Sequence, residues 1–79
     1  MTARVTLYTR PGCHLCEVAR EVVERVCADL GEQYDEFSID DDPELTRRFG
    51  DEIPVTFVDG RQHDFWRVDA ARLRAALRG

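Results

Sequence analysis

Two cysteines stand three positions apart in Cys13-His14-Leu15-Cys16, between the apolar run Val5-Thr6-Leu7-Tyr8 and a long amphipathic pattern. Thiols at that spacing, where a strand gives way to a helix, can close and reopen one disulfide while the rest of the chain stays in place. A thiolate at a helix start faces unpaired backbone N–H groups and the positive end of the helix dipole, and both stabilise its charge. Cys13, nearer the start, is the expected nucleophile and the more exposed thiol. Cys16, one turn in and partly covered, is the expected resolving thiol, which displaces whatever becomes attached to Cys13.

The neighbours act on that charge in both directions. His14, when protonated, and Arg10, permanently charged, would favour a Cys13 thiolate and move the couple toward the oxidising side. Glu17 and Glu21 suit the helix dipole but oppose the thiolate. A second chemistry uses the same two sulfurs as metal ligands. A structural zinc centre needs four donors, and beyond the cysteine pair and the lone Cys27 only His14 and His63 remain, His14 lying inside the motif itself. A metal or iron–sulfur module built on Cys13 and Cys16, and a redox-sensitive partner-binding domain, therefore stand as alternatives to the redox reading. Cys27 falls on an apolar helical stripe and reads as a small buried hydrophobe. His63 has no visible partner and reads as a surface or sheet-face residue.

Those residues need elements to hold them. Arg4 to Thr9 alternates as a strand and Pro11-Gly12 ends it. From Cys13 to about Leu30 the apolar residues Leu15, Val18, Ala19, Val22, Val23, Val26, Cys27 and Leu30 keep helical spacing, with Gly31 as the stop. Gln33 to Ile39 reads as a second strand with Phe37 and Ile39 on one face. Asp42, Pro43 and Glu44 form a helix entry, and that short helix runs from Pro43 to about Phe49, closed by Gly50. Val55-Thr56-Phe57-Val58, Asp59-Gly60 and Arg61 to Trp66 form a hairpin, Phe65 and Trp66 pointing to opposite faces so that one is core. Asp69 caps a last helix with Ala70, Leu73, Ala76 and Leu77 on its apolar face. The order β-α-β-α-β-β-α predicts a mixed four-stranded sheet, its first two strands parallel. Ile53-Pro54 stands just before the third strand. In a cis arrangement it would turn the Ile53 backbone outward, free to pair with an extended peptide or a glutathione-like substrate. The residues alone leave cis and trans both open.

With 79 residues, the chain has room for a single domain spanning 1–79. A net charge of −5 argues against a nucleic-acid partner, which would call for a basic stripe. Neither an export signal nor a bilayer-length apolar run is visible, so a cytoplasmic location without membrane contact is expected. There, a cysteine pair is more often catalytic or metal-binding than structural, and three cysteines suit a disulfide framework poorly.

Tyr8-Thr9-Arg10-Pro11-Gly12-Cys13-His14-Leu15-Cys16, followed by Ile53-Pro54-Val55 ahead of a hairpin, resembles the glutaredoxin-like branch of the thioredoxin superfamily. The nearest likeness is to small bacterial glutaredoxin-like proteins with a Cys-His-Leu-Cys site, and it covers essentially the whole chain. The resemblance implies an α/β thioredoxin fold in its minimal form and thiol–disulfide oxidoreductase activity. It implies Cys13 as nucleophile, Cys16 as resolving thiol, Arg10 as a contact to the glycine carboxylate of glutathione, and a cis Pro54 preceded by an Ile53 that pairs with substrate backbone. Protein disulfides or glutathione mixed disulfides would be the substrates, with glutathione or a reductase as electron donor, no bound cofactor, and a monomer as the working form. The chain departs from glutaredoxins before the last helix. Phe65-Trp66-Arg67-Val68-Asp69 has no glycine pair, and only Asp69 corresponds to the acidic residues that bind the γ-glutamyl end of glutathione. The first strand also lacks the buried acid of thioredoxins, and His14 replaces proline.

Overall fold

The computed structural model describes residues 3–78. Its elements are β1 (Val5–Thr9), α1 (His14–Leu30), β2 (Tyr34–Ser38), the 3₁₀ turn Ile39–Asp41, α2 (Pro43–Phe49), β3 (Val55–Val58), β4 (Arg61–Phe65) and α3 (Ala70–Arg78). The four strands form one sheet in the order β2-β1-β3-β4. β1 runs parallel to β2 and antiparallel to β3, and β3 runs antiparallel to β4. This is the thioredoxin fold in its smallest form, as the pattern of elements predicts.

Period-two alternation decides which side chains meet which layer. Val5, Leu7 and Val58 point to one face and form a cluster with Ala19, Val23, Val26 and Cys27 of α1 and Leu73 and Leu77 of α3. Val55 and Phe57, with Tyr8, point to the other face, where Ile39, Phe49 and Leu45 close a smaller cluster. Tyr8 stacks on Phe49 with ring centroids 5.2 Å apart, and Phe57 meets both rings edge-on. The hairpin turn sits on Asp59 and Gly60, both at positive φ (53° and 82°), the backbone that a two-residue turn between twisted strands requires. Among the described residues no helix is long and apolar enough to cross a membrane.

Three details differ from the sequence reading. Ile39 does not continue the second strand. The hydroxyl of Ser38 accepts the N–H of Asp40 at 3.2 Å and starts a 3₁₀ turn, which swings Ile39 into the smaller cluster and leaves Phe37 half exposed. Leu15 and Val18 are not core: Cys16 and Ala19 of the same turns face inward, and Leu15 and Val18 lie at the flank of that buried face. Neither Phe65 nor Trp66 is core. β4 ends at Phe65, and Trp66 takes a left-handed backbone (φ 65°), so strand alternation no longer governs it. The two rings meet edge-on at 5.0 Å, both about half exposed.

Candidate active site

The register brings one end of the sheet together. β1 ends at Thr9 beside Ser38 of the parallel β2, while Val55 of the antiparallel β3 lies beside Tyr8 and Phe65. The residues just beyond those positions therefore converge: the Arg10–Cys13 loop, the Ile39–Asp41 turn, Ile53-Pro54 and Trp66.

Gly12, at φ 76°, makes the reversal between strand and helix. Cys13 then serves as the N-cap of α1, not as its first residue, with an extended backbone (φ −93°, ψ 113°). Its carbonyl accepts the N–H of Glu17 at 3.2 Å, and its sulfur accepts the N–H of Cys16, also at 3.2 Å. The sulfur thus takes the place of a capping oxygen, and negative charge there is matched by a free helix N–H. Cys13 is half buried and Cys16 is 1% exposed. Burial pushes the Cys16 thiol up to about 12. The hydrogen bond to Cys13 adds to this, and the backbone of Arg10 and the more distant charge of Arg20 oppose it. At neutral pH the inner sulfur keeps its proton. No disulfide is formed among the three cysteines.

The charged neighbours are disposed as follows. The guanidinium of Arg10 is turned onto Asp40 (Nε to Oδ1, 2.9 Å). His14 stands out in solvent, with Nδ1 3.9 Å from Glu17. A network that the sequence reading missed lies beneath the loop. Arg20, one turn after Cys16, donates twice to Glu36 of β2 (2.7 and 2.6 Å), and Thr9 donates to the same carboxylate at 2.9 Å. The Arg20 guanidinium, followed by the Thr9 hydroxyl, holds Glu36 below the usual carboxylate range against a partial burial that acts the other way.

The Ile53-Pro54 peptide bond is cis. Pro54 is buried, and Ile53 packs against the smaller cluster while its backbone N–H and C=O make no hydrogen bond among the described residues. Trp66 fastens the same segment: its N–H donates to the carbonyls of Pro54 (2.8 Å) and Glu52 (3.1 Å), and its indole N–H to that of Asp51 (2.9 Å). Asp69 accepts the N–H of Arg72 at 3.0 Å as the cap of α3.

Cys27 is buried on the inward face of α1, and burial raises its thiol as well. His63 is largely covered rather than at the surface, Nε2 3.7 Å from Asp64. It sits in the edge strand β4, opposite the irregularity between Thr56 and Phe57. Among the described residues no group of three or more His, Cys, Asp or Glu is disposed to hold a metal ion; Cys13 and Cys16 alone offer a thiol pair.

A mixed four-stranded sheet with a cysteine pair at the start of its first helix and a cis-proline beside it defines a thioredoxin-superfamily architecture. Residues 4–78 match the family described as Glutaredoxin-like domain (DUF836), and the chain belongs to it. An uncharacterized protein of Mycobacterium tuberculosis (strain ATCC 25618 / H37Rv) is 40% identical over 81 residues, covering 94% of this chain and 81% of the relative. The X-ray structure of protein XcR50 from X. campestris superposes with a TM-score of 0.78 at 39% identity, over 94% of this chain and 95% of that one. A glutaredoxin from Archaeoglobus fulgidus shares the fold, with a TM-score of 0.67 at 18% identity over 99% and 89% of the two chains.

Proposed function

We propose that the protein is a small thiol–disulfide oxidoreductase that reduces protein disulfides or glutathione mixed disulfides by cycling Cys13 and Cys16 between dithiol and disulfide. The Cys13 thiolate attacks one sulfur of the substrate. The substrate S–S bond breaks, one half leaves as thiolate and takes up a proton, and the other half stays on Cys13 as a mixed disulfide. Cys16 then gives up its proton to the departing sulfur and attacks Cys13, releasing the second half as a thiol. Two electrons have passed to the substrate, and the protein is left with a Cys13–Cys16 disulfide. An external thiol, glutathione or the dithiol of a reductase, returns it to the starting state, as a reducing compartment such as the cytoplasm would allow.

The observation that carries this reading is the asymmetry of the pair: an outer sulfur capped by a helix N–H at 3.2 Å, and a buried inner thiol that keeps its proton. An outgoing thiolate on Cys13 and a protonated reserve on Cys16 are what ordered exchange needs. The remaining parts fall into supporting roles. Ile53, with Pro54 behind it, offers a free peptide edge to an extended substrate. Arg10, held on Asp40, and the exposed His14 flank Cys13 at the rim.

Replacing Cys16 with Ser tests the mechanism. The variant should accumulate one mixed disulfide per chain, on Cys13, when mixed with a small disulfide or with oxidised glutathione, and mass spectrometry would read it directly. Failure to accumulate any adduct with any disulfide would overturn the reading.

A further inference from the structure

We infer that the groove between α1 and the Trp66–Val68 segment docks a disulfide-bearing polypeptide that presents an apolar side chain and an acidic residue beside its half-cystine. This rests on the oxidoreductase reading and narrows its substrate class. Leu15 and Val18, one turn apart on α1, are each 44% exposed, and Trp66 is 54% exposed. With Val22, Val68 and Arg67 they line a cavity of about 250 Å³. Leu15 lies between the two cysteines in the chain, so an occupant of this groove has its sulfur within reach of Cys13.

The wall opposite α1 is built to stay in place. Three hydrogen bonds hold Trp66 to the carbonyls of Asp51, Glu52 and Pro54, although its ring is left in solvent. A tryptophan both anchored and exposed wastes apolar surface unless a partner covers it. The same bonds tie the groove to Ile53, whose free N–H and C=O can pair with the backbone of an extended peptide. Charge selects further. The lining holds one cation, Arg67, and no carboxylate. Arg67 is exposed and has no ion-pair partner among the described residues, so an acidic residue on the occupant would complete it. Glutathione fits less well. It brings no apolar side chain for Leu15 and Val18, while Arg10 already answers Asp40 and Asp69 already fills the start of α3.

Trp66 is the one tryptophan of the chain, and its emission reports occupancy directly. The probe protein is the full chain with Cys13→Ser, which cannot form the covalent bond. It is titrated with cysteine-containing peptides that place Leu and Glu, or Ser and Lys, beside the cysteine. The Leu-Glu peptide should give a saturable change with a Kd about tenfold lower than the Ser-Lys peptide, the worth of one buried aliphatic side chain. Adding Leu15→Ser and Val18→Ser should narrow that difference without abolishing it, and adding Arg67→Glu as well should remove or reverse what is left, which is the preference for the acidic residue. Equal affinities in the starting protein, tighter binding of oxidised glutathione, or an emission change with a dimer mass on concentrating the protein alone would each overturn the inference. The outcome is separable from the chemistry. A chain that traps disulfides through Cys13 but shows no peptide preference loses only the docking site, and a chain that traps none loses the oxidoreductase reading.

Discussion

The backbone N–H of Cys16 donates to the sulfur of Cys13 across 3.2 Å, so the first turn of α1 solvates one thiol with the amide of the other. The inner sulfur is shut away from water while the outer one reaches solvent at the end of the sheet. Sequence spacing makes the pair equivalent in type. The fold makes it unequal in access and in proton affinity.

That inequality is measurable by alkylation. In the reduced native protein at neutral pH, iodoacetamide should modify Cys13 at least about tenfold faster than Cys16 or Cys27, since reactivity follows thiolate content and access. Peptide mapping by mass spectrometry at short times should find one labelled cysteine, and all three only after unfolding. Uniform labelling of the native chain would contradict the geometry.

Alkaline pH should loosen the reduced fold through Cys16. Its thiol is raised from 9.0 to about 12 by burial first. The unfolded chain therefore releases this proton before the folded one does, and stability falls as pH rises from 9 toward 12. Below 9 both states hold the proton and nothing is lost. Urea denaturation of reduced protein at several pH values, set against Cys16→Ser, should show a shallower alkaline decline in the variant. Cys27 and Tyr34, also raised by burial, provide the part common to both.

Acid should act through Glu36. Its carboxyl is held down chiefly by Arg20, so the pair contributes stability above the ordinary carboxyl value of 4.5 and loses it as pH falls through the lower folded value. Both side chains are partly exposed, so Glu36→Gln should cost about 1 kcal/mol at neutral pH. The difference between variant and parent should vanish in strong acid. A double-mutant cycle with Arg20→Met should show clear non-additivity, because the two share one pair of hydrogen bonds.

Asp69 has two candidate roles, the cap of α3 and a glutathione contact, and they separate experimentally. As a cap, Asp69→Ala should lower stability by about 1 kcal/mol, while Asp69→Ser should restore most of it. If instead the rate with a glutathione mixed disulfide drops and Ser does not rescue it, with stability unchanged, capping is not what the residue does.

Where a few neighbouring residues decide a structure, the chain was readable in advance. Asp42 with Pro43 opens α2, Asp59-Gly60 closes the hairpin, and Val5 and Leu7 face inward, each for reasons carried by the local pattern. The cysteine pair belongs to this group, because its placement needs only a strand, a glycine and a helix start in succession. Burial across elements was harder to read. Leu15 and Val18 belong to the same apolar pattern as Val23 and Val26, and periodicity cannot tell how far round the helix another element will cover it. Trp66 departs from strand alternation at a positive φ, where two carbonyls from a distant segment accept its backbone N–H and a third accepts its indole N–H. The Arg20–Glu36 and Arg10–Asp40 pairs join residues 16 and 30 positions apart, and no spacing rule links them.

The strand order leaves β2 and β4 as the sheet's two margins. Those margins carry Asp35 and Glu36 on one side and Arg61, Gln62, His63 and Asp64 on the other, while the apolar strands β1 and β3 are enclosed between them. A foreign strand arriving at either flank would meet charged side chains, Asp35 on one and Arg61 on the other, interleaved with the half-exposed Phe37 and Phe65. Charge on both outer strands is thereby a deterrent to recruiting a foreign strand along the sheet's sides.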